Sequence, residues 1–432
     1  MNGQQTLVVK RTAYVTIVIL FLSWLIDYID RLIITLALPS IGKEFHLNAV
    51  AQGAILSIFF FSYALCQMPG GWLADRIGSK KTMTIAMVAW SVFTGLTGAA
   101  VNYVMLMAVR LFFGISEGIF PGASMKAIAE RTTREMRLTA NGLMIASNSF
   151  GAAIAPLIAA PFIIAVGWRH TFYWVAGLGI IMAIVLWYFL PKPLPSTAFA
   201  SVDSPAATVS AEDRPAGGIE LKLSDLLRKG VMWKFFLMFC GMDIIAWGLV
   251  SWVPSYLLTV KHISLAKAGA LTSIPFFAGT ISTILGGWLF DRYLHDHHRR
   301  IIVPSMILSA VFLFFMLNAS SAGRFIFFET IAAFFVYLAF QPIFGLPMRL
   351  LSSRILGTGS AMINFGGQTG GVLSPLVMGW LVQTFSYQAA FAFLVFGAVL
   401  CGACALWIPE SAEQFERALT GKRMAVQGTQ SM

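Results

Sequence analysis

The chain has 432 residues, 58% of them hydrophobic and 11% charged, against roughly 25% charged in a soluble globular domain. That balance excludes an ordinary soluble enzyme or binding module and points to a membrane protein. The formal net charge of +11 raises nucleic acid as a partner. The basic residues, however, sit in short loops between apolar runs, so the surplus belongs to membrane topology.

About 20 apolar residues cross a bilayer as a helix. On that criterion twelve spans are read, at about 13–38, 49–70, 82–100, 103–122, 139–166, 171–190, 232–258, 268–289, 301–319, 325–347, 355–383 and 387–408. The first carries three charges and has no small-residue cleavage site behind it, so it is expected to stay as a span. The second runs into G-W-L-A-D-R at 71–76, and the eighth into G-W-L-F-D-R at 287–292, half a chain length later. A repeat on this scale predicts two copies of one structural unit, which in so apolar a chain implies a secondary transporter with its site between the copies.

Residues 191–219 are rich in Pro, Ser, Ala and Gly and read as a linker. Glu220–Lys229 sets four leucines among charges, as a short amphipathic helix on the membrane surface does. Loops on the side of both termini collect Lys80, Lys81, Arg131, Arg134, Arg137, Arg299 and Arg300, which makes that side and both termini cytoplasmic. Cys401 and Cys404 form a C-x-x-C inside an apolar span and read as packing residues. His295, His297 and His298 fall among charges and read as a solvated loop. No metal or cofactor is expected. The spacings Gly114–Gly118–Gly122, Gly366–Gly370 and Gly367–Gly371 predict close helix approach, in seams that either slide or stay put.

Charges within the spans are the candidate functional residues, because each costs roughly 2.5–3.5 kcal/mol at the bilayer centre even on mild scales. The first span holds Asp27, Asp30 and Arg31, the fourth Arg110 and Glu117, the seventh Asp243 and the tenth Glu329. Asp27 and Arg31 are one helical turn apart, and Arg110 and Glu117 two turns. Arg31 and Arg110 both fall near mid-membrane, where two guanidiniums need an anion between them more than each other. Internal neutralisation by Asp27, Asp30 or Glu117 is the competing account. Three acids against two bases, with an anionic substrate to add, favour proton uptake by Asp30 or Glu117 and hence proton symport.

The loop G-W-L-A-D-R-I-G-S-K-K (71–81) resembles the signature loop of the major facilitator superfamily. D-Y-I-D-R (27–31), Y-A-L-C-Q-M-P-G-G (63–71) and R-L-F-F-G-I-S-E-G-I-F-P-G-A (110–123) are similar to its anion:cation symporter branch, which includes bacterial transporters of galactonate, hexuronates, glucarate and phthalate. The resemblance implies that Arg31 and Arg110 hold the substrate carboxylate and that Asp30 and Glu117 couple protons. It places Tyr28, Tyr63 and Asn148 at the cavity, and Gln341, Asn364 and Gln368 as hydroxyl-binding groups. Asp27 stands where the branch commonly has Asn, so its part in coupling is an open assignment. Gly71, Asp75 and Arg76, with Gly287, Asp291 and Arg292, form the gating motif, and the second copy lacks the glycine that follows in the first.

The expected fold is therefore an all-α polytopic membrane protein. Twelve transmembrane helices form two six-helix bundles related by pseudo-two-fold symmetry, spanning 1–190 and 231–432, joined by the 191–230 linker. The expected function is proton-coupled import of a small organic anion, a sugar acid, by alternating access across a bacterial inner membrane. Its partners are the anion, protons and the lipid bilayer, with no nucleic acid, and the chain is expected to act as a monomer. An aromatic or dicarboxylic acid symporter is the alternative within transport, and a transporter-like membrane sensor the alternative outside it. An enzyme is not expected, since no metal cluster, nucleophile–base pair or nucleotide loop appears.

Overall fold

The computed structural model describes residues 3–194, 229–294, 297–351, 356–411, 414–415 and 417–418. The amphipathic segment expected at 220–229 lies outside these apart from Lys229, as does His295. All the regular structure in the described residues is helical. The elements are α1 (Gly3–Glu44), α2 (Ala49–Ile77), α3 (Ser79–Gly98), α4 (Tyr103–Arg131), α5 (Arg134–Phe189), α6 (Gly230–Thr259), α7 (Leu265–Tyr293), α8 (Arg299–Leu317), α9 (Ala322–Leu350), α10 (Leu356–Thr384) and α11 (Tyr387–Trp407). Helix α5 is continuous only in hydrogen bonding. Gly167 at φ 79°, ψ 162° turns the chain there, so its two arms cross separately and make twelve crossings. Asn48, Asn102 and Ser386 each accept a hydrogen bond from a backbone N–H three residues on, starting α2, α4 and α11.

Eight of these helices are long and apolar enough to cross a membrane by composition alone. Helices α1, α3 and α10 are long enough, but charges, hydroxyls and glycines dilute them. Prolines lie inside nine of the eleven, where packing against neighbours supplies partners for the interrupted backbone.

Helices α1–α5 pack among themselves, as do α6–α11, and corresponding pairs recur: α2 on α4 matches α7 on α9. The halves meet through α2 with α10, α5 with α7, and α1 with α6. That meeting is asymmetric along the axis. At the end away from the loop motifs, Gly53 lies against the Pro375 carbonyl, and a Cβ on Gly379 would come 2.6 Å from the Ala49 carbonyl. Ser57 donates to the Val372 carbonyl at 2.7 Å, and Val50 N–H to Gln383 at 3.3 Å. At the motif end Trp72 and Trp288 are more than half exposed. The backbone-close contacts between the halves named here lie at the end away from the motifs.

The glycine repeats foreseen in α4 and α10 do sit at close helix approaches: Gly118 packs on the Tyr63 carbonyl and Gly370 on the Cys240 carbonyl, each inside one half, while Gly371 faces Phe60 across the halves. Cys401 and Cys404 are buried in α11, which packs on α6 and α8.

Candidate functional site

Helix α1 brings Asp27, Asp30 and Arg31 to one level, facing Arg110 and Glu117 of α4, and all five are at most 6% exposed. Arg31 Nη2 donates to Asp27 Oδ2 at 3.0 Å and to Glu117 Oε2 at 2.8 Å, and its Nε donates to Glu117 Oε2 at 3.1 Å. Its guanidinium lies 4.8 Å from the ring of Tyr28, 5.2 Å from Phe59 and 4.9 Å from Tyr63. These aromatic faces favour a cation that has left water. Tyr28 and Tyr63 thus back Arg31.

Arg110 differs. Among the described residues it pairs with no carboxylate, and its buried Nε and Nη1 have no hydrogen-bond partner. It rests 4.3 Å from the ring of Phe113 and 5.3 Å from Phe59. The seven residues from Arg110 to Glu117 span about 10 Å along α4, so Glu117 reaches Arg31 on the facing helix instead. Asp30 is likewise not paired with an arginine: its Oδ2 accepts from Thr94 Oγ1 at 2.5 Å, and its Oδ1 has no partner. Glu117 Oε1 is also buried without one. Arg31 is therefore held in direct ion pairs, whereas Arg110 has Asp30 and Glu117 only as neighbours without contact.

Both arginines line one narrow cavity between the halves, together with Phe59, Phe60, Trp247 and Ser251. A second cavity, of about 30 Å³, adjoins it, sharing Leu32, Thr35 and Val250, and reaches Glu329 and Tyr337 of α9. The two arginines foreseen at an anion site do share a cavity wall. Asn148, Gln341, Asn364 and Gln368 line neither of these two cavities. Asn364 Nδ2 instead donates across the halves to Gln67 Oε1 at 2.7 Å. Gln341 packs beside Gly287, and Asn148 Oδ1 and Gln368 Oε1 are buried without partners.

Asp75 pairs with Lys126 Nζ at 2.8 Å and Asp291 with Arg349 at 2.8 Å, each within its own half. Arg76 stacks on Trp72. Thr94, Trp247 and Tyr337 were not foreseen. Thr94 gives no sequence signal, but Tyr337 follows Glu329 by eight residues, about two turns, which puts it near the same face.

A profile described as the Major Facilitator Superfamily matches residues 20–375 and 293–429. The chain belongs to the major facilitator superfamily. It is accordingly a multi-pass membrane transporter and not an enzyme. A probable L-galactonate transporter of Escherichia coli K12 is 27% identical over 94% of this chain and 90% of its own length. The hexuronate transporter of Bacillus subtilis 168 is 28% identical over 94% and 95%. A probable sulfoacetate transporter of Cupriavidus necator is 30% identical over 90% and 92%. Among solved structures, a bacterial homolog of the human lysosomal transporter Spinster, inward-facing and unoccupied, superposes with a TM-score of 0.75 at 18% identity. That match covers 96% of this chain and 99% of the other, and shows the shared fold of the transporter.

Proposed function

We propose that this transporter imports a small organic anion, a sugar acid, in symport with protons across a bacterial inner membrane, with both termini cytoplasmic. The observation that supports the reading is Arg110: a buried guanidinium on a cavity wall that forms no ion pair among the described residues and whose Nε and Nη1 have no hydrogen-bond partner. An unpaired buried charge is costly, and a substrate carboxylate is the group that would complete it, by the planar fork that arginine offers. The relatives named for L-galactonate and hexuronate support a hydroxylated carboxylate as that group.

Coupling follows from the charge count. Asp27, Asp30 and Glu117 oppose Arg31 and Arg110, so a bound monoanion leaves an excess of negative charge in a low-dielectric site. Protonating Glu117 or Asp30 removes it. Glu117 has the more direct effect, since its proton weakens the clasp on Arg31 and releases that guanidinium towards the substrate. Asp27 stays as the partner that keeps Arg31 oriented. The halves, 1–190 and 231–432 in a single monomer, then rock about the cavity. Gly71, Asp75 and Arg76, with Gly287, Asp291 and Arg292, engage the opposite half when the motif end closes. Asn148, Gln341 and Gln368 move to the substrate in that closed state.

Proteoliposome uptake of D-galactonate tests the reading. Arg110→Ala abolishes binding, and Arg110→Lys restores little, since lysine supplies a point charge without the fork. Glu117→Gln keeps counterflow but no longer accumulates substrate under an inside-alkaline gradient. Wild-type affinity in Arg110→Ala overturns the anion site, and gradient-driven accumulation by Glu117→Gln overturns its coupling role.

A further inference from the structure

Helix α2 carries one aromatic ring into the second half. Gly53, Ser57 and Phe60 lie on one stripe of α2 at helical spacing, and each meets α10. Gly53 and Ser57 reach only backbone there, at Pro375 and Val372. Phe60 is 5% exposed and meets Gly371, where a Cβ would come 2.9 Å from its ring. The same ring packs on Trp247 of α6, with centroids 4.5 Å apart and planes at 58°, a tilted arrangement that aromatic pairs favour. Phe60 therefore occupies a notch in the second half, between α6 and α10. Phe60 and Trp247 also line the cavity of Arg31 and Arg110. Phe59, whose ring both guanidiniums approach, lies 5.0 Å from Phe60. The notch is thus a wall of that cavity and the inner rung of a contact whose outer rung, Gly53, is about 10 Å away along α2.

We propose that Phe60 is the gate of the arginine cavity towards the Gly53 end: the halves part there only when its ring leaves the notch. This rests on the rocking of the halves proposed above and names the side chain that controls it. Trp247 and Gly371 both belong to the second half, so parting the halves strips the ring of both contacts together. Dispersion contacts of this kind are lost within a small separation, which makes the seat either filled or empty. Gly371 is then required as glycine, because a close-packed ring has no room to yield to an added methyl group. The Gly367–Gly371 repeat thereby acquires a function at one of its two members.

Ser57 is 5% exposed in the seam, one turn from Phe60. A Ser57→Cys reporter, in a Cys66→Ser background, should therefore react with a maleimide only when the halves part. The rate is read on the purified full chain in detergent. Gly371→Ala is expected to raise it by about tenfold, as overpacking a close contact does. Phe60→Ala empties the notch and is expected to raise it too, and Gly371→Ala then adds nothing further, which is the non-additivity of a direct contact. An unchanged rate in a folded Gly371→Ala that still binds D-galactonate overturns the gate and leaves the sugar-acid reading intact. Additive increases in the double variant overturn it as well. Should Gly371→Ala fail to fold, an unchanged rate in Phe60→Ala alone overturns it. A reporter that stays unlabelled in every folded background, with and without D-galactonate, overturns the rocking of the halves along with the gate.

Discussion

Arg31 and Arg110 are both buried and line the same cavity, yet their removal is expected to have very unequal consequences for stability. Arg31→Ala deletes three hydrogen bonds and leaves Asp27 and Glu117, at 1% and 0% exposure, facing each other without their cation. Removing one partner from a buried ion pair costs about 3–5 kcal/mol, because the abandoned charge is neither solvated nor paired. Arg110→Ala breaks no hydrogen bond and deletes only ring contacts with Phe113 and Phe59, worth about 0.5–2 kcal/mol. It also relieves repulsion from Arg31. The assay is thermal unfolding of detergent-solubilised protein without substrate. The midpoint is expected to fall markedly for Arg31→Ala and little for Arg110→Ala. Adding Glu117→Gln to Arg31→Ala should recover much of the loss, since the charge stranded by the first change is then gone; coupling of this kind is the signature of a direct pair. Equal midpoints for the two single variants, or additive losses in the double variant, would refute the assignment of Glu117 to Arg31.

Two further outcomes follow from features outside the cluster. Gly53→Val places side-chain atoms against the Pro375 carbonyl at the closed end. It is expected to part the halves there, raising the reactivity of a cysteine introduced near Gln383 towards a reagent added from that side, and unchanged labelling would count against this contact as the seal. His298, buried at the start of α8 outside the membrane, has its pKa pushed down to about 4 by loss of solvation. The unfolded chain takes up this proton at about 6.5, so stability is full above that pH and drains away between about pH 6.5 and 4. At pH 5 the loss is about 2 kcal/mol. His298→Gln should flatten that part of the pH–stability curve, and an unaltered curve would contradict it.

How much of this was legible before the structure varies by residue. Charge in an apolar span is expensive, so Asp27, Asp30, Arg31, Arg110, Glu117, Asp243 and Glu329 announced themselves by type alone. Which acid clasps which arginine did not. Glu117 and Arg110 share a helix, and spacing along one helix suggested a relation that the facing helix α1 pre-empts. Asp30 offered itself as an arginine partner in the competing account, whereas Thr94, one hydroxyl among many, bonds one of its oxygens. The amides failed for a related reason: an intramembrane Asn or Gln serves equally to hydrogen-bond a neighbouring helix, and Asn364 spends itself on Gln67. The glycine repeats were visible, but only tertiary placement showed that Gly118 and Gly370 pack inside one half while Gly371 faces Phe60 of the other. Gly53 and Gly379, which also meet the opposite half, belong to no repeat.

Those two glycines give the closed end an unusual kind of shutter. Backbone meets backbone there, so closing it freezes few side-chain rotamers and opening it releases few. The attraction is mostly dispersion, which decays within an ångström or so of separation. Such a shutter is either shut or gone, with little in between, and neither position is deeply favoured in entropy. The energy left to bias it is that of whatever occupies the cavity in the middle of the molecule. A carrier needs this economy, because a latch held by long interlocking side chains would have to be unpicked on every cycle and would set the pace of turnover.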